Sequence, residues 1–60
     1  RNYKELLQIT RLNQAAFLLH NTRMPVADVS FAVGYDNTSY FYRIFRTYYG
    51  MSPREYRKTG

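Results

Sequence analysis

The sequence predicts an all-α fold, a long N-terminal helix followed by three shorter ones, and three observations carry that expectation. Apolar residues recur at spacings of three and four, and no segment shows the strict alternation of a strand. Proline, glycine and clusters of side-chain cap formers punctuate the chain at three places. Its 60 residues include seven Tyr and four Phe, and large rings are what a short chain uses to fill a small core.

The first helix is expected over about residues 3–20. Ile9, Leu12, Ala15, Ala16 and Leu19 fall on one stripe at helical spacing, the face that a helix turns toward a core. Leu6, Leu7, Phe17 and Leu18 form a second apolar group, read as the opposite side of the same helix. Two apolar sides call for burial on two sides, and the three helices that follow can cover one of them. His20 lies near the C-terminal end, where the helix dipole favours a basic residue.

Asn21 and Thr22 end this helix. Pro25 suits the first turn of the next, because its φ is preset and its missing N–H is no loss there. The second helix, about residues 25–33, has Val26, Val29, Ala32 and Val33 as its expected inner face, with Asp28 in its first turn. Gly34 stops it, as a residue that tolerates positive φ. Arg11 and Asp28 are expected to pair across the junction between the two helices.

Asp36, Asn37, Thr38 and Ser39 are four consecutive N-cap formers, so a third helix starts among them. It runs to Tyr49, and Gly50 is a good residue to end it. Ser52, Pro53 and Glu55 then spell a capping box with proline at the first helical position, opening a closing helix over about residues 53–58. The second and third helices, joined by the turn Gly34-Tyr35-Asp36, carry the signature of a helix-turn-helix.

The third helix divides into two faces. Phe41, Ile44, Phe45 and Tyr48 lie at i, i+3, i+4 and i+7 and are expected to pack inward. Ser39, Tyr42, Arg43 and Arg46 lie together on the other side, with Thr38 near the N-terminal rim. Small hydroxyls followed by arginines suit a helix laid N-terminus first into a DNA major groove. Arg43 can donate two parallel hydrogen bonds to guanine O6 and N7, while Thr38 and Ser39 can donate or accept. Tyr42 can rest on a thymine methyl, turn its hydroxyl to a phosphate, or simply cover the hydrophobic core. Arg46, farther along, suits phosphate.

Charge points the same way without deciding it. The formal net charge is +5, and residues 43–60 hold Arg43, Arg46, Arg54, Arg57 and Lys58 against Glu55 alone. A polyanion partner and a merely solvated basic tail fit that imbalance equally well. No paired carboxylates, Ser/His/Asp set or Gly-rich phosphate loop is present, so an enzyme is not expected. With no cysteine and a single histidine, neither a disulfide, a metal site nor any cofactor is expected. No apolar run approaches the ~20 residues of a membrane span, and no signal peptide is visible. A cytoplasmic protein is therefore expected, and the opening at Arg1 without Met suggests a piece of a longer one.

Several runs now resemble the AraC/XylS transcription regulators. They are Arg11-Leu12-Asn13-Gln14-Ala15, Leu18-Leu19, Val26-Ala27-Asp28-Val29 and Ala32-Val33-Gly34-Tyr35. Ser39-Tyr40-Phe41, Arg43-Ile44-Phe45-Arg46 and the stretch from Tyr49 through Pro53 to Arg57 continue the likeness. It covers nearly all of residues 6–57 at the family's spacing, without gaps. The resemblance implies a homeodomain-like helix-turn-helix subdomain over residues 1–60 that binds double-stranded DNA. The first helix would be the linker between two such subdomains, residues 25–49 the second helix-turn-helix, and the last helix its closing element. It further implies base reading from Thr38, Ser39, Tyr42 and Arg43, and a first helix-turn-helix subdomain as the partner of the linker. In such regulators a homodimer formed through other parts is usual, and a sensory domain, where there is one, lies outside this sequence. Pro25 departs from the family, which often has a capping Ser there. The rival reading is a basic helical module that docks an acidic protein and has no preference among DNA sequences.

Overall fold

The computed structural model describes residues 3–59 and forms them into four helices: α1 (Tyr3–Asn21), α2 (Val26–Ala32), α3 (Thr38–Tyr49) and α4 (Pro53–Thr59). No strand occurs among the described residues. Helix α1 is the spine: α2 and α4 both pack on it, and α3 packs on α2 and α4. The core gathers Leu12, Ala15, Ala16 and Leu19 from α1 with Val29, Val33, Tyr35, Phe41 and Phe45. The expected stripe of α1 is thus the buried one, with Ile9 half-buried at its end.

The second apolar group of α1 divides. Leu6 and Phe17 are 56% and 64% exposed, whereas Leu18 packs against the core instead of facing away from it. Leu18 stands three residues after Ala15, so it shares the edge of the buried stripe; with α2 and α4 both covering α1, that stripe is broader than one face.

Helix α2 begins at Val26, one residue after the proline, and Pro25 provides no side-chain cap. Its inner side differs from the expected one. Val29 and Ser30 are buried, Val26 is half-buried, and Ala32 is exposed. Ser30 is tolerated there because its hydroxyl donates to the carbonyl of Tyr35 at 2.9 Å while its own carbonyl accepts from the Tyr35 amide, also at 2.9 Å. A buried hydroxyl with a partner costs little; without one it would be a substantial penalty. Serine thus ties the end of α2 to the turn.

That turn depends on Gly34, whose φ of +103° lies in the region that side chains rarely adopt. A Cβ added there would also stand 3.2 Å from the Arg11 guanidinium. Arg11 itself lies over the Tyr35 ring, 5.7 Å from its centroid, a cation–π arrangement. The expected Arg11–Asp28 pair does not form among the described residues, because the guanidinium is drawn to the turn and its aromatic ring. Burial pushes the Tyr35 hydroxyl's pKa up, partly opposed by Arg11.

Asn37 is the cap of α3, its side chain accepting from the Tyr40 amide at 3.0 Å. Gly50, at φ +76°, ends that helix with its amide donating to the Arg46 carbonyl. Phe41 and Phe45 are fully buried, as expected, and Ile44 is half-buried. Tyr48, expected inside, is 47% exposed, and its neighbour Tyr49 takes the inner place. Tyr49 stacks on Phe45 at 4.5 Å and donates its hydroxyl to the Asn13 side chain.

The capping box of α4 is formed in both directions: the Ser52 amide donates to the Glu55 carboxylate at 2.9 Å, and the Glu55 amide donates to the Ser52 hydroxyl at 3.2 Å. Those bonds, the backbone one foremost, hold the Glu55 pKa below the usual carboxylate range. The stability they give is present above the ordinary Glu range and is lost as pH falls through the lowered folded value. Replacing Ser52 with Ala should cost about 1 kcal/mol of unfolding free energy, read as a drop in denaturant midpoint at neutral pH. An unchanged midpoint would mean that α4 is positioned without its cap.

Two residues given minor roles by sequence close the fold. The Arg57 guanidinium reaches back to the carbonyls of Leu19 at 3.0 Å, Thr22 and Met24, satisfying the end of α1 and the loop beyond it. His20 stacks on Tyr56 at 4.2 Å, and its Nε2 meets the Tyr56 carbonyl at 2.8 Å. Its role is to bridge α1 and α4 rather than only to complement a helix end.

Candidate nucleic-acid interface

Helix α3 has 12 residues, so it is about 18 Å long and, with side chains, 10–12 Å across. That width matches a B-DNA major groove of about 12 Å. Its buried edge is the line Phe41–Phe45 with Tyr49, which fixes the opposite side toward solvent. Ser39, Arg43 and Arg46 are all exposed, while Thr38 and Tyr42 are half-buried at the flank facing α4.

The five residues singled out by sequence do not form one cluster. Tyr42, Arg43 and Arg46 line a shallow cleft together with Thr47 and Ser52. Thr38 and Tyr42 line a second cleft, whose other walls are Pro25, Val26 and Ala27 at the start of α2 and Arg54, Arg57 and Lys58 of α4. Ser39 stands on the open first turn, outside both clefts. Tyr42 is the ridge between them. Its ring meets Phe41 edge-on at 6.5 Å and packs against the core. It therefore covers the core with its ring, and its hydroxyl end is the part left for a ligand.

Local structure explains why the polar side chains point outward. Phe41 and Phe45 anchor one side of α3 against the other helices, and Asn37 fixes its first turn. Asn37 spends its side-chain oxygen on that cap, so of the four cap formers Thr38 and Ser39 keep theirs for other partners. Gly34 sets the angle at which α3 leaves α2. No group of His and acids that could hold a metal occurs among the described residues, and no described helix is long and apolar enough to cross a membrane.

By charge alone Arg57 groups with Arg54 and Lys58 in the basic C-terminal segment. Its head group is instead engaged by carbonyls of α1 and the following loop. Spacing does not mark it, since Arg57 stands three residues after Arg54 and borders the same side of α4; what sets it apart is the end of α1 within its reach.

Comparison with known proteins bears on the whole arrangement. A family model described as a helix-turn-helix domain matches residues 1–59. The arabinose operon regulatory protein of Salmonella typhimurium is 49% identical over 47 residues, which is 78% of this chain and 17% of that protein. Among solved structures, a DNA-binding transcriptional dual regulator from Escherichia coli K-12 superposes with a TM-score of 0.93 at 36% identity, over 98% of this chain and 53% of that one. The C-terminal domain of the two-component response regulator yesN from Fusobacterium nucleatum gives 0.92 at 28% identity, over 95% and 55%. The chain thus spans about a sixth of the length of that curated relative and about half of each solved one.

Proposed function

This chain belongs to the AraC-type helix-turn-helix family, and on that premise we propose that it binds double-stranded DNA sequence-specifically within a bacterial transcription regulator. Helix α3 enters the major groove. Arg43 reads guanine, Thr38 and Ser39 approach base edges from the first turn, Tyr42 offers its hydroxyl end, and Arg46 neutralises phosphate. The observation that carries this reading is the division of α3, with Phe41 and Phe45 fully buried and Ser39, Arg43 and Arg46 exposed opposite them.

The same reading makes α1 a linker. Leu6 and Phe17 lie exposed on it, and a first helix-turn-helix subdomain is the partner proposed to cover them. A sensory domain and a homodimer belong to the proposal for the whole regulator.

The test is discrimination among duplexes. Preferred sites are selected from a random pool, and a preferred and a scrambled duplex are then titrated at one salt concentration. One bidentate arginine contact alone corresponds to a preference of roughly five- to 150-fold. Equal affinity for the two duplexes would favour a basic protein-docking module. Replacing Arg46 with Ala should weaken both duplexes alike and reduce the salt slope by roughly one. A change in base preference would reassign Arg46 to direct reading.

A further inference from the structure

Of the three cations in α4, Arg57 is turned inward and held by carbonyl oxygens. Arg54 and Lys58 are exposed, and no hydrogen bond or ion pair engages either among the described residues. They stand four residues apart, which places them on one side of the helix with Cβ atoms roughly 5–6 Å apart. The acid nearest in sequence, Glu55, has its carboxylate committed to the Ser52 amide. Two positive charges without a hydrogen bond or ion pair, Lys58 lying within the electrostatic reach of Glu55, therefore share one wall of a cleft, and Thr38 and Tyr42 of α3 also line it. Neither Arg54 nor Lys58 is among the five contact residues assigned above.

We propose that Arg54 and Lys58 grip the sugar–phosphate strand bordering the groove that α3 enters, so that α4 is a second DNA-binding element. The proposal rests on the DNA-binding reading and extends it to a helix whose visible role is to close the fold. A helix in the major groove lies between two phosphate strands, and the cleft beside Thr38 and Tyr42 is where one of them would run. Flexible cations on that wall suit phosphate, a diffuse anionic target, better than a base edge, which requires fixed geometry. Thr38 and Tyr42 line the same cleft. Groups on opposite walls of the cleft hold a strand from both sides, which adds affinity on any duplex.

The geometry also separates the roles within the basic segment. Arg57 holds the fold together, Arg43 meets bases, and Arg54 with Lys58 supplies affinity without sequence preference. Loss of the α4 cations should therefore leave the choice of site untouched.

The experiment measures affinity against salt for a selected duplex and a scrambled one, with the unaltered chain and with Arg54→Gln, Lys58→Gln and both together. Each single change should weaken both duplexes roughly fivefold near 0.15 M salt and lower the slope of log affinity on log salt by about one. The double change should lower that slope by about two, with the preferred-to-scrambled ratio unchanged. Lys4→Gln, which removes a charge from the first turn of α1, is the control for the general field and should shift the slope much less. Arg54→Lys with Lys58→Arg should retain the full slope. Circular dichroism confirms that each variant is folded.

An unchanged slope in the double variant would overturn the proposal, as would a shift equal to that of Lys4→Gln or an altered base preference. If the unaltered chain itself prefers no duplex, the sequence-specific reading fails instead. Arg43→Ala separates the two cases: loss of preference there, with normal behaviour of the α4 variants, leaves DNA reading intact and removes only the α4 grip.

Discussion

Phe45→Ala is expected to unfold most of this domain at room temperature. Phe45 is completely buried and is the ring on which others converge: Phe41 at 5.7 Å, Tyr49 stacked at 4.5 Å and Tyr56 edge-on at 5.4 Å. Truncating such a side chain loses its transfer free energy and leaves a cavity that neighbours fill only partly, about 3–5 kcal/mol together. A chain of 60 residues has, at typical values per residue, a total stability of about 3–9 kcal/mol. The loss is thus comparable with the whole. Because the cavity opens between α3 and α4, the seat of the Tyr49–Asn13 bond would go with it.

The measurement is the helical circular dichroism signal against temperature. Phe45→Ala should show a weak signal with no cooperative transition above room temperature. Phe45→Leu, which keeps most of the volume, should melt cooperatively at a reduced midpoint. A Phe45→Ala variant that melts within a few degrees of the unaltered chain would mean that the ring cluster does not hold α3 in place.

Most of the fold was legible because local signals agree with one another. Gly34 and Gly50 do take positive φ, the Ser52–Glu55 capping box forms in both directions, and Phe41 and Phe45 are inside. Where polarity and helical period disagree, period decides which residues are buried. On α2 the buried line runs through Val26, Val29, Ser30 and Val33, a strict i, i+3, i+4, i+7 pattern in which Ser30 holds a place usually given to an apolar residue. Ala32, apolar and expected inside, lies off that line and is exposed. On α3 the choice between Tyr48 and Tyr49 could not be made from the helix alone. It is decided by α4, whose Tyr56 sits 5.1 Å from Tyr49 once Gly50 and the capping box have fixed the turn.

The candidate site was legible in part for the same reason. An exposed arginine opposite two buried phenylalanines follows from one helix's periodicity. The role of Arg57 does not, because it depends on α1 ending within reach of α4, 38 residues away in sequence from Leu19. The cleft that Thr38 and Tyr42 share with Arg54 and Lys58 is likewise a product of packing and has no signature in any single segment.

Arg43→Ala should lower affinity for a preferred duplex by about 1–3 kcal/mol, roughly five- to 150-fold, and relax the preference at one base pair. The argument is geometric. Arg43 is exposed one turn beyond Ser39 on the outward face of α3, so its guanidinium extends away from the core into whatever the helix meets. Its planar fork matches the two acceptors on the guanine edge, and a side chain lacking that fork cannot replace it. Arg43→Lys should therefore recover some general affinity, through its charge, but not the lost discrimination. Folding should be unaffected, because no packed contact is removed. The decisive comparison changes each base pair of the site in turn, for the unaltered chain and for the variant. If Arg43 reads a base, the penalty for altering one particular pair disappears in Arg43→Ala while the others persist. Equal weakening on preferred and scrambled duplexes, with every base-pair penalty retained, would place Arg43 on phosphate and leave the discrimination to the hydroxyls of Thr38 and Ser39.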